Sequence, residues 1–154
     1  IEKATGDYLT TANCDDRYHI GGLKRMVDEI EGNPELGLVF AQVDKDDGEH
    51  VYPWRRLDRI TGEVKDILDV LKERCIIGPM PLWKRSIHTE HNLYFDDSMT
   101  VASDYKMWLD MAKAGVKFGY IEDSCGIYMA RPDSLEHRNK ELCGIESQMA
   151  RRSA

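Results

Sequence analysis

The length, composition and charge of the sequence already limit what this protein can be. Its 154 residues, 42% of them hydrophobic, suffice for one domain with a hydrophobic core. The formal net charge of −7 disfavours a nucleic-acid binder that works through a basic surface. No apolar run approaches the roughly 20 residues of a membrane span, and residues 1–10 lack the apolar segment of a signal peptide.

The first part of the sequence predicts two strands with a helix between them. Residues 8–12 form a short β-rich run that leads into Asn13-Cys14-Asp15-Asp16. An amphipathic helix follows, because apolar residues recur at i, i+3, i+4 and i+7, namely Leu23, Met26, Val27 and Ile30. The run 36–43 is apolar with little alternation, which predicts a buried strand in a sheet covered on both faces. Residues 45–59 are expected to form a turn and an irregular loop.

Helices and strands continue to alternate in the second part. The same apolar spacing predicts a helix with Thr61 as its N-cap, from Val64, Ile67, Leu68 and Leu71. Prolines make residues 78–83 a shaped loop rather than a strand. A third helical stripe comprises Tyr105, Trp108, Leu109 and Ala112. Strands are predicted at 116–121 and 125–129. Ser134 should then cap a terminal helix with Leu135, Leu142, Ile145 and Met149 on one side.

This alternation predicts a single domain over residues 1–154 with an α/β fold of three layers. The sheet is small for the helices it carries. Residues 4–6 are typical of the end of a helix, so we expect about one more βαβ half ahead of Ile1. Its absence would expose a sheet edge and apolar helix faces, which favours a homodimer that covers them.

The cysteines indicate the redox environment. Cys14, Cys75, Cys125 and Cys143 form no C-x-x-C pair, and their spacing matches no zinc module. We therefore expect four reduced thiols in a cytoplasmic protein.

Two adjacent carboxylates, Asp15 and Asp16, directly follow the first strand. Ligands of α/β sheets bind at the carboxyl ends of strands. A divalent cation would relieve the repulsion between the two carboxylates, and oxygen ligands suit Mg²⁺ or Mn²⁺ bound to a diphosphate. The alternative is a solvated acidic turn in which Asp16 caps the next helix.

Asp104 opens the third predicted helix, after Phe95-Asp96-Asp97-Ser98. The N–H groups of a helix N-terminus stabilise a carboxylate. An ionised carboxylate held in place can accept a proton from a substrate hydroxyl. By itself, an Asp in the first turn could equally well only support the helix.

Trp83 lies beside two cations in the proline-containing loop. An exposed Trp there could stack on a sugar; the alternative is a Trp that closes an edge of the core. His88 and His91 have helical i, i+3 spacing, but two histidines alone do not make a metal site.

In combination, these segments resemble the metal-dependent, inverting nucleotide-sugar glycosyltransferases of the GT-A fold, family two. Ala4-Thr5-Gly6-Asp7-Tyr8-Leu9 is similar to the segment that leads into that family's D-x-D motif, which Asn13-Cys14-Asp15-Asp16 resembles. Asp96-Asp97 followed by Ser103-Asp104-Tyr105 looks like its catalytic-base block. Pro81-Leu82-Trp83-Lys84 resembles its acceptor loop, and Tyr128 with Arg131-Pro132-Asp133-Ser134 resembles its tail.

The resemblance implies a role for each matching residue. Asp15 would hold Mn²⁺ or Mg²⁺ at the donor diphosphate, and Asp16 would lie beside it at the sugar or the metal. Asp104 would be the general base, and Trp83 would help to form the acceptor pocket. The partners would be a nucleotide-sugar donor and an acceptor hydroxyl on a sugar or a lipid-linked molecule.

The resemblance covers the C-terminal part of the family's catalytic domain. The strands that hold the nucleotide are missing from the sequence, so we expect the 154 residues to bind donor poorly and to show little or no turnover alone. Asn13 stands where many members have the first Asp of D-x-D, and Ser103 where an acidic residue or Gly often precedes the base. The alternatives are therefore a non-catalytic binding module and another metal-dependent enzyme that handles nucleotides.

Overall fold

The computed structural model describes residues 1–11, 13–54, 57 and 62–154. The strands in this part of the chain are β1 (Tyr8–Thr10), β2 (Arg17–Tyr18), β3 (Leu36–Asp46), β4 (Val51–Trp54), β5 (Gly62–Glu63), β6 (Leu82–Lys84) and β7 (Lys117–Met129). The helices are α1 (Gly22–Gly32), α2 (Ile67–Glu73), α3 (Ser86–Glu90), α4 (Ser103–Lys113), α5 (Leu135–Arg138) and α6 (Lys140–Ser153).

The strands form one mixed, curled sheet with β3 at its centre. Its order is β1-β6-β3-β7-β2, while β4 pairs with β3 and β5 with β7. β3 runs parallel to β7 and antiparallel to β6, and β1 is antiparallel to β6. β1, β3 and β7 therefore point the same way, and their carboxyl ends lie at one edge of the sheet.

Hydrophobic clusters on both faces of the sheet confirm the predicted three layers. The larger cluster joins alternate residues of β3 to α2 and α4, and includes Phe40, Trp83, Trp108 and Phe118. The smaller cluster places Met26 and Ile30 of α1 against Leu36, Val39 and Cys125. β3 is buried over most of its length because helices cover it from both sides, as its continuous apolar run predicts.

The helix α1 packs closely on β7 because its first residue is a glycine. A Cβ placed at Gly22 would lie 2.1 Å from the Cys125 carbonyl oxygen. That carbonyl also accepts a hydrogen bond from the His19 N–H at 3.0 Å. The predicted helix is present, and the strands predicted at 116–121 and 125–129 correspond to parts of the single strand β7.

Several predicted elements differ from the structure. The segment predicted as an irregular loop contains β4, which pairs with the extended end of β3. The second helix begins at Ile67, with Val64 ahead of it and Asp66 in a left-handed conformation (φ 52°). The predicted cap Thr61 lies outside the described residues. The proline-containing loop is wrong at its end, because residues 82–84 form β6 between β1 and β3.

The terminal helix is divided in two and turns a different side to the core. Ser134 caps α5 as predicted, and its side chain accepts a hydrogen bond from the His137 N–H. α6 then buries Glu146 and Ala150. The predicted apolar side remains exposed, with Leu135, Leu142, Ile145 and Met149 at the surface.

None of the four cysteines, all of which lie in the described part of the chain, is joined in a disulfide. In the part of the chain that is described, no helix combines the length and the apolar character needed to cross a membrane.

Candidate active site

A cavity of about 680 Å³ opens at the edge where β1 and β7 end. The turn after β1, the loop before β6, the start of α4, the end of β7 and one side of α6 form its wall. This is the edge at which α/β sheets bind ligands. Its lining residues include Asn13, Cys14, Asp15, Pro79, Asp104, Trp108, Tyr128 and Cys143.

The two adjacent carboxylates after β1 have different surroundings. Asp15 lines the cavity. Asp16 is not among the lining residues in the described part of the chain: its Oδ1 accepts from the Met129 N–H at 3.0 Å, and its Oδ2 accepts from Asn13 Nδ2 at 2.8 Å. Burial raises the pKa of Asp16, although these two hydrogen bonds favour its ionised form. Asp16 thus ties the turn to the end of β7.

Asp104 is the second residue of α4 and is exposed at the cavity wall. Its Oδ1 accepts a hydrogen bond from the Tyr105 N–H at 2.7 Å. The predicted position at a helix N-terminus is therefore present. The fold brings Asp104 into the same cavity as Asp15, although the two residues lie far apart in the sequence.

Trp83 lies one layer behind the cavity wall. It is only 2% exposed, and its Nε1–H donates to His88 Nε2 at 2.9 Å. Its ring meets that of Trp108 edge to face at 5.3 Å between centroids, and Trp108 is the residue that reaches the cavity. Of the two interpretations of Trp83, the structure supports the Trp that closes an edge of the core and not the exposed one, because strand β6 turns this side chain into the core. A contribution of Trp83 to acceptor binding would act through Trp108.

His88, one of the two histidines at helical spacing, has a structural role in the core. Nε2 accepts from Trp83, and Nδ1 lies 2.5 Å from the Leu93 carbonyl oxygen. These contacts assign a neutral ring with its proton on Nδ1. Both nitrogens are thus used within the core, while His91 is exposed.

Tyr128, which the resemblance placed only in the family's tail, contributes an aromatic wall to the cavity. Its ring stacks on that of Trp54, with centroids 4.9 Å apart and an interplanar angle of 21°. Lys45 Nζ lies 5.7 Å from the centre of the Trp54 ring. A strand pairing of β3 with β4, unpredicted from the sequence, brings Trp54 to this place.

The described residues limit how a metal ion could be bound. They contain no group of three or more His, Cys, Asp or Glu side chains that could hold one. Mg²⁺ in phosphate-binding sites commonly uses one or two carboxylates together with phosphate oxygens and water. Asp15 therefore fits a metal ion that is shared with a diphosphate, and does not by itself fit a metal site that forms without one.

The mixed α/β sheet, with the cavity at the carboxyl ends of its strands, has a GT-A-like fold. Residues 1–91 match the family described as glycosyl transferase family 2, which is more than half of the chain. The chain belongs to this family. Asp15, Asp16 and Trp83 lie within the matched residues, whereas Asp104 and all of α4 to α6 lie beyond them.

Solved structures share the fold at low sequence identity. The crystal structure of S. aureus TarS 1–349 in complex with UDP-GlcNAc aligns with a TM-score of 0.69 at 14% identity, covering 90% of this chain and 38% of that one. The crystal structure of TarS 1–349 without a named ligand gives 0.65 at 13% identity, over 98% of this chain and 48% of that one. This chain thus spans less than half of each of these structures. No curated protein matches the sequence.

Proposed function

We propose that the protein transfers a sugar from a nucleotide-diphosphate donor to an acceptor hydroxyl, with inversion at the anomeric carbon. The observation that carries the proposal is the presence of Asp15 and Asp104 in one cavity at the carboxyl edge of a GT-A-like sheet. Membership of glycosyl transferase family 2 supports a transferase as the class of enzyme.

In this proposal Asp104 is the general base. The acceptor oxygen forms a bond to the anomeric carbon as the bond from that carbon to the phosphate oxygen breaks. The acceptor proton moves to the Asp104 carboxylate, and the nucleoside diphosphate leaves with the bonding electron pair. The hydrogen bond from the Tyr105 N–H orients this carboxylate at the start of α4.

Asp15 would hold Mn²⁺ or Mg²⁺ on the donor diphosphate. When bound, the metal ion would neutralise the charge that develops on the departing diphosphate. Asp16 helps to hold Asp15 in place, because it accepts a hydrogen bond from the Met129 N–H and so joins the turn to the end of β7. Tyr128, stacked on Trp54, offers a flat apolar surface against which a sugar or base could pack.

The solved structures guide the choice of donor. TarS has been crystallised with UDP-GlcNAc and with UDP, so UDP-sugars are the donors to assay first. At 14% to 16% identity the likeness concerns the fold, and GDP-sugars belong in the same screen.

A non-catalytic binding module is the second candidate. Asn13 favours it, since its amide donates to Asp16 and provides no carboxylate where many family members have one. Such a module would bind a ligand in the cavity without turnover.

The experiment combines calorimetry with a transferase assay on the full-length protein. Mn²⁺ is titrated with and without UDP or GDP, and Asp15→Asn should abolish saturable metal binding in the presence of nucleotide. Asp104→Asn should lower kcat by about 100-fold or more, the usual contribution of a general base, with nucleotide binding retained. The control is Asp28→Asn, an exposed carboxylate on α1.

Each result separates the candidates. Binding of nucleotide without turnover, unchanged by Asp104→Asn, would establish the binding module. Turnover that survives Asp104→Asn would remove Asp104 as the base, and metal binding that survives Asp15→Asn would place the metal elsewhere.

A further inference from the structure

A buried carboxylate of α6 faces the segment that leads into α4. Glu146 is 5% exposed. Its Oε1 accepts from the Thr100 N–H at 2.8 Å, and its Oε2 accepts from the N–H groups of Val101 and Ala102 at 2.8 and 2.9 Å. Both oxygens are thus committed to consecutive backbone donors immediately before the first residue of α4.

These hydrogen bonds pair the three N–H groups that immediately precede the first residue of α4. The N-cap residue of α4 is Ala102, whose side chain cannot accept a hydrogen bond. The N–H groups at the start of a helix have no partner within the helix, and burying them unpaired is costly. A carboxylate also interacts favourably with the positive end of the helix dipole. The Thr100 N–H and its two neighbours hold the pKa of Glu146 below its usual value, despite burial.

The segment that Glu146 holds is part of the cavity wall. Val101, Ala102 and Asp104 all line the cavity, and only Ser103 separates Asp104 from the bonded residues. A displacement of residues 100–102 would therefore move the Asp104 backbone relative to Asp15 and to any bound substrate.

Packing alone does not account for a carboxylate at this position. α6 carries three large apolar side chains, Leu142, Ile145 and Met149, and all of them are exposed. Burial of a charge is expensive, and an apolar residue commonly serves stability as well or better. α6 is also attached to α4 independently, through Arg151 Nε to Tyr105 Oη at 3.0 Å and Lys113 Nζ to the Ser153 carbonyl oxygen at 2.9 Å.

We propose that Glu146 is a positioning residue, which fixes the start of α4 and so sets the place of Asp104 in the cavity. This inference rests on the proposed function, in which Asp104 is the base. It assigns to α6, beyond the residues of the family match, a direct part in building the site.

The test compares Glu146→Gln with the control Glu141→Gln, an exposed acidic residue on the same helix. Glu146→Gln keeps the shape and one acceptor oxygen, but its amide group faces backbone donors. We expect faster hydrogen exchange at the amides of residues 100–102 and a kcat lower by about 100-fold, the cost of a misplacement of about 1 Å. Donor KM and nucleotide affinity should stay within about twofold, and Glu141→Gln should leave every quantity unchanged.

A second variant and a spectroscopic measurement keep the test decisive. Glu146→Asp retains the charge but shortens the reach, and it replaces Glu146→Gln in the test if that variant folds poorly. Its kcat should lie between those of wild type and Glu146→Gln. The NMR signal of the Asp104 carboxyl carbon should shift in Glu146→Gln and not in Glu141→Gln. Faster exchange with an unchanged kcat, or an unchanged Asp104 signal, would overturn the inference.

A failure of the proposed function can be distinguished from a failure of the inference about Glu146. If the wild-type protein transfers no sugar, that function fails, whereas the Asp104 signal and the exchange rates still decide whether Glu146 positions Asp104.

Discussion

The close contact of α1 with β7 allows the packing of the fold to be tested with one methyl group. In Gly22→Ala the new Cβ would lie 2.1 Å from the Cys125 carbonyl oxygen and 2.9 Å from its carbon. An ordinary contact needs more than 3.4 Å, so α1 or β7 must move by over 1 Å. The atoms in the way are backbone atoms, which cannot rotate aside as a side chain can.

The expected cost follows from two contributions. Overpacking of this kind costs about 1–3 kcal/mol. The same carbonyl accepts the His19 N–H, and loss of that hydrogen bond adds about 1 kcal/mol. Because Gly22 is the first residue of α1, the gain in helix propensity is small. We expect Gly22→Ala to lower the free energy of unfolding by about 2–4 kcal/mol.

The control is Gly32→Ala at the other end of the same helix. A Cβ at Gly32 meets nothing within 4 Å, so this change should be neutral or stabilise by up to about 1 kcal/mol. Urea denaturation of the 154-residue chain, followed by circular dichroism, compares the two variants. Equal midpoints for Gly22→Ala and Gly32→Ala would show that α1 does not lie on β7 as described.

Two further predictions concern buried polar groups. Trp83→Phe leaves His88 Nε2 without its donor and should lower the free energy of unfolding by about 1–3 kcal/mol. The acceptor KM should not change. A rise in acceptor KM at unchanged stability would instead support direct contact of Trp83 with the acceptor. Glu146 has a folded-state pKa below its usual 4.5, so its contribution to stability is complete above that pH and is lost as the pH falls through the folded-state pKa. Denaturant titrations below pH 4.5 should therefore show a steeper loss of stability for wild type than for Glu146→Gln, and parallel curves would contradict this.

The sequence predicted the elements in which a regular pattern of apolar residues marks the buried face. The continuous apolar run of β3 and the helical spacing of Met26 and Ile30 each reflect burial against one kind of neighbour, and the structure contains both elements. Patterns of this type report a periodic face directly. The three-layer fold follows from their alternation along the chain.

The elements that were missed depend on strand pairing that leaves no apolar period in the sequence. β4 contains Pro53 and exposed residues, and it exists because the end of β3 extends past the sheet to pair with it. Trp83 lies next to prolines that favour a loop, yet β6 joins β1 to β3 and turns the ring toward His88. Apolar periodicity carries no information on either pairing.

The side of α6 that faces the core also differs from the one that its apolar residues predict. Leu142, Ile145 and Met149 make the more apolar side, and hydrophobicity alone would turn that side inward. The start of α4 presents three N–H groups that need acceptors, and Glu146 supplies them from the opposite side. A need for hydrogen-bond acceptors in one helix thus decides which side of another is buried, and only the folded chain brings the two together.

The two carboxylates after β1 also take positions that the sequence does not distinguish. From the sequence, Asp15 is the candidate for the metal, and Asp16 is the candidate beside it at the sugar or the metal. In the fold, the Met129 N–H at the end of β7 donates to Asp16 Oδ1. This hydrogen bond draws Asp16 toward the sheet, and the reversal of the chain at the turn leaves Asp15 on the cavity wall. A hydrogen bond to a distant strand thus accompanies the different positions of Asp15 and Asp16, just as the residues before α4 are bonded to a carboxylate from a distant helix.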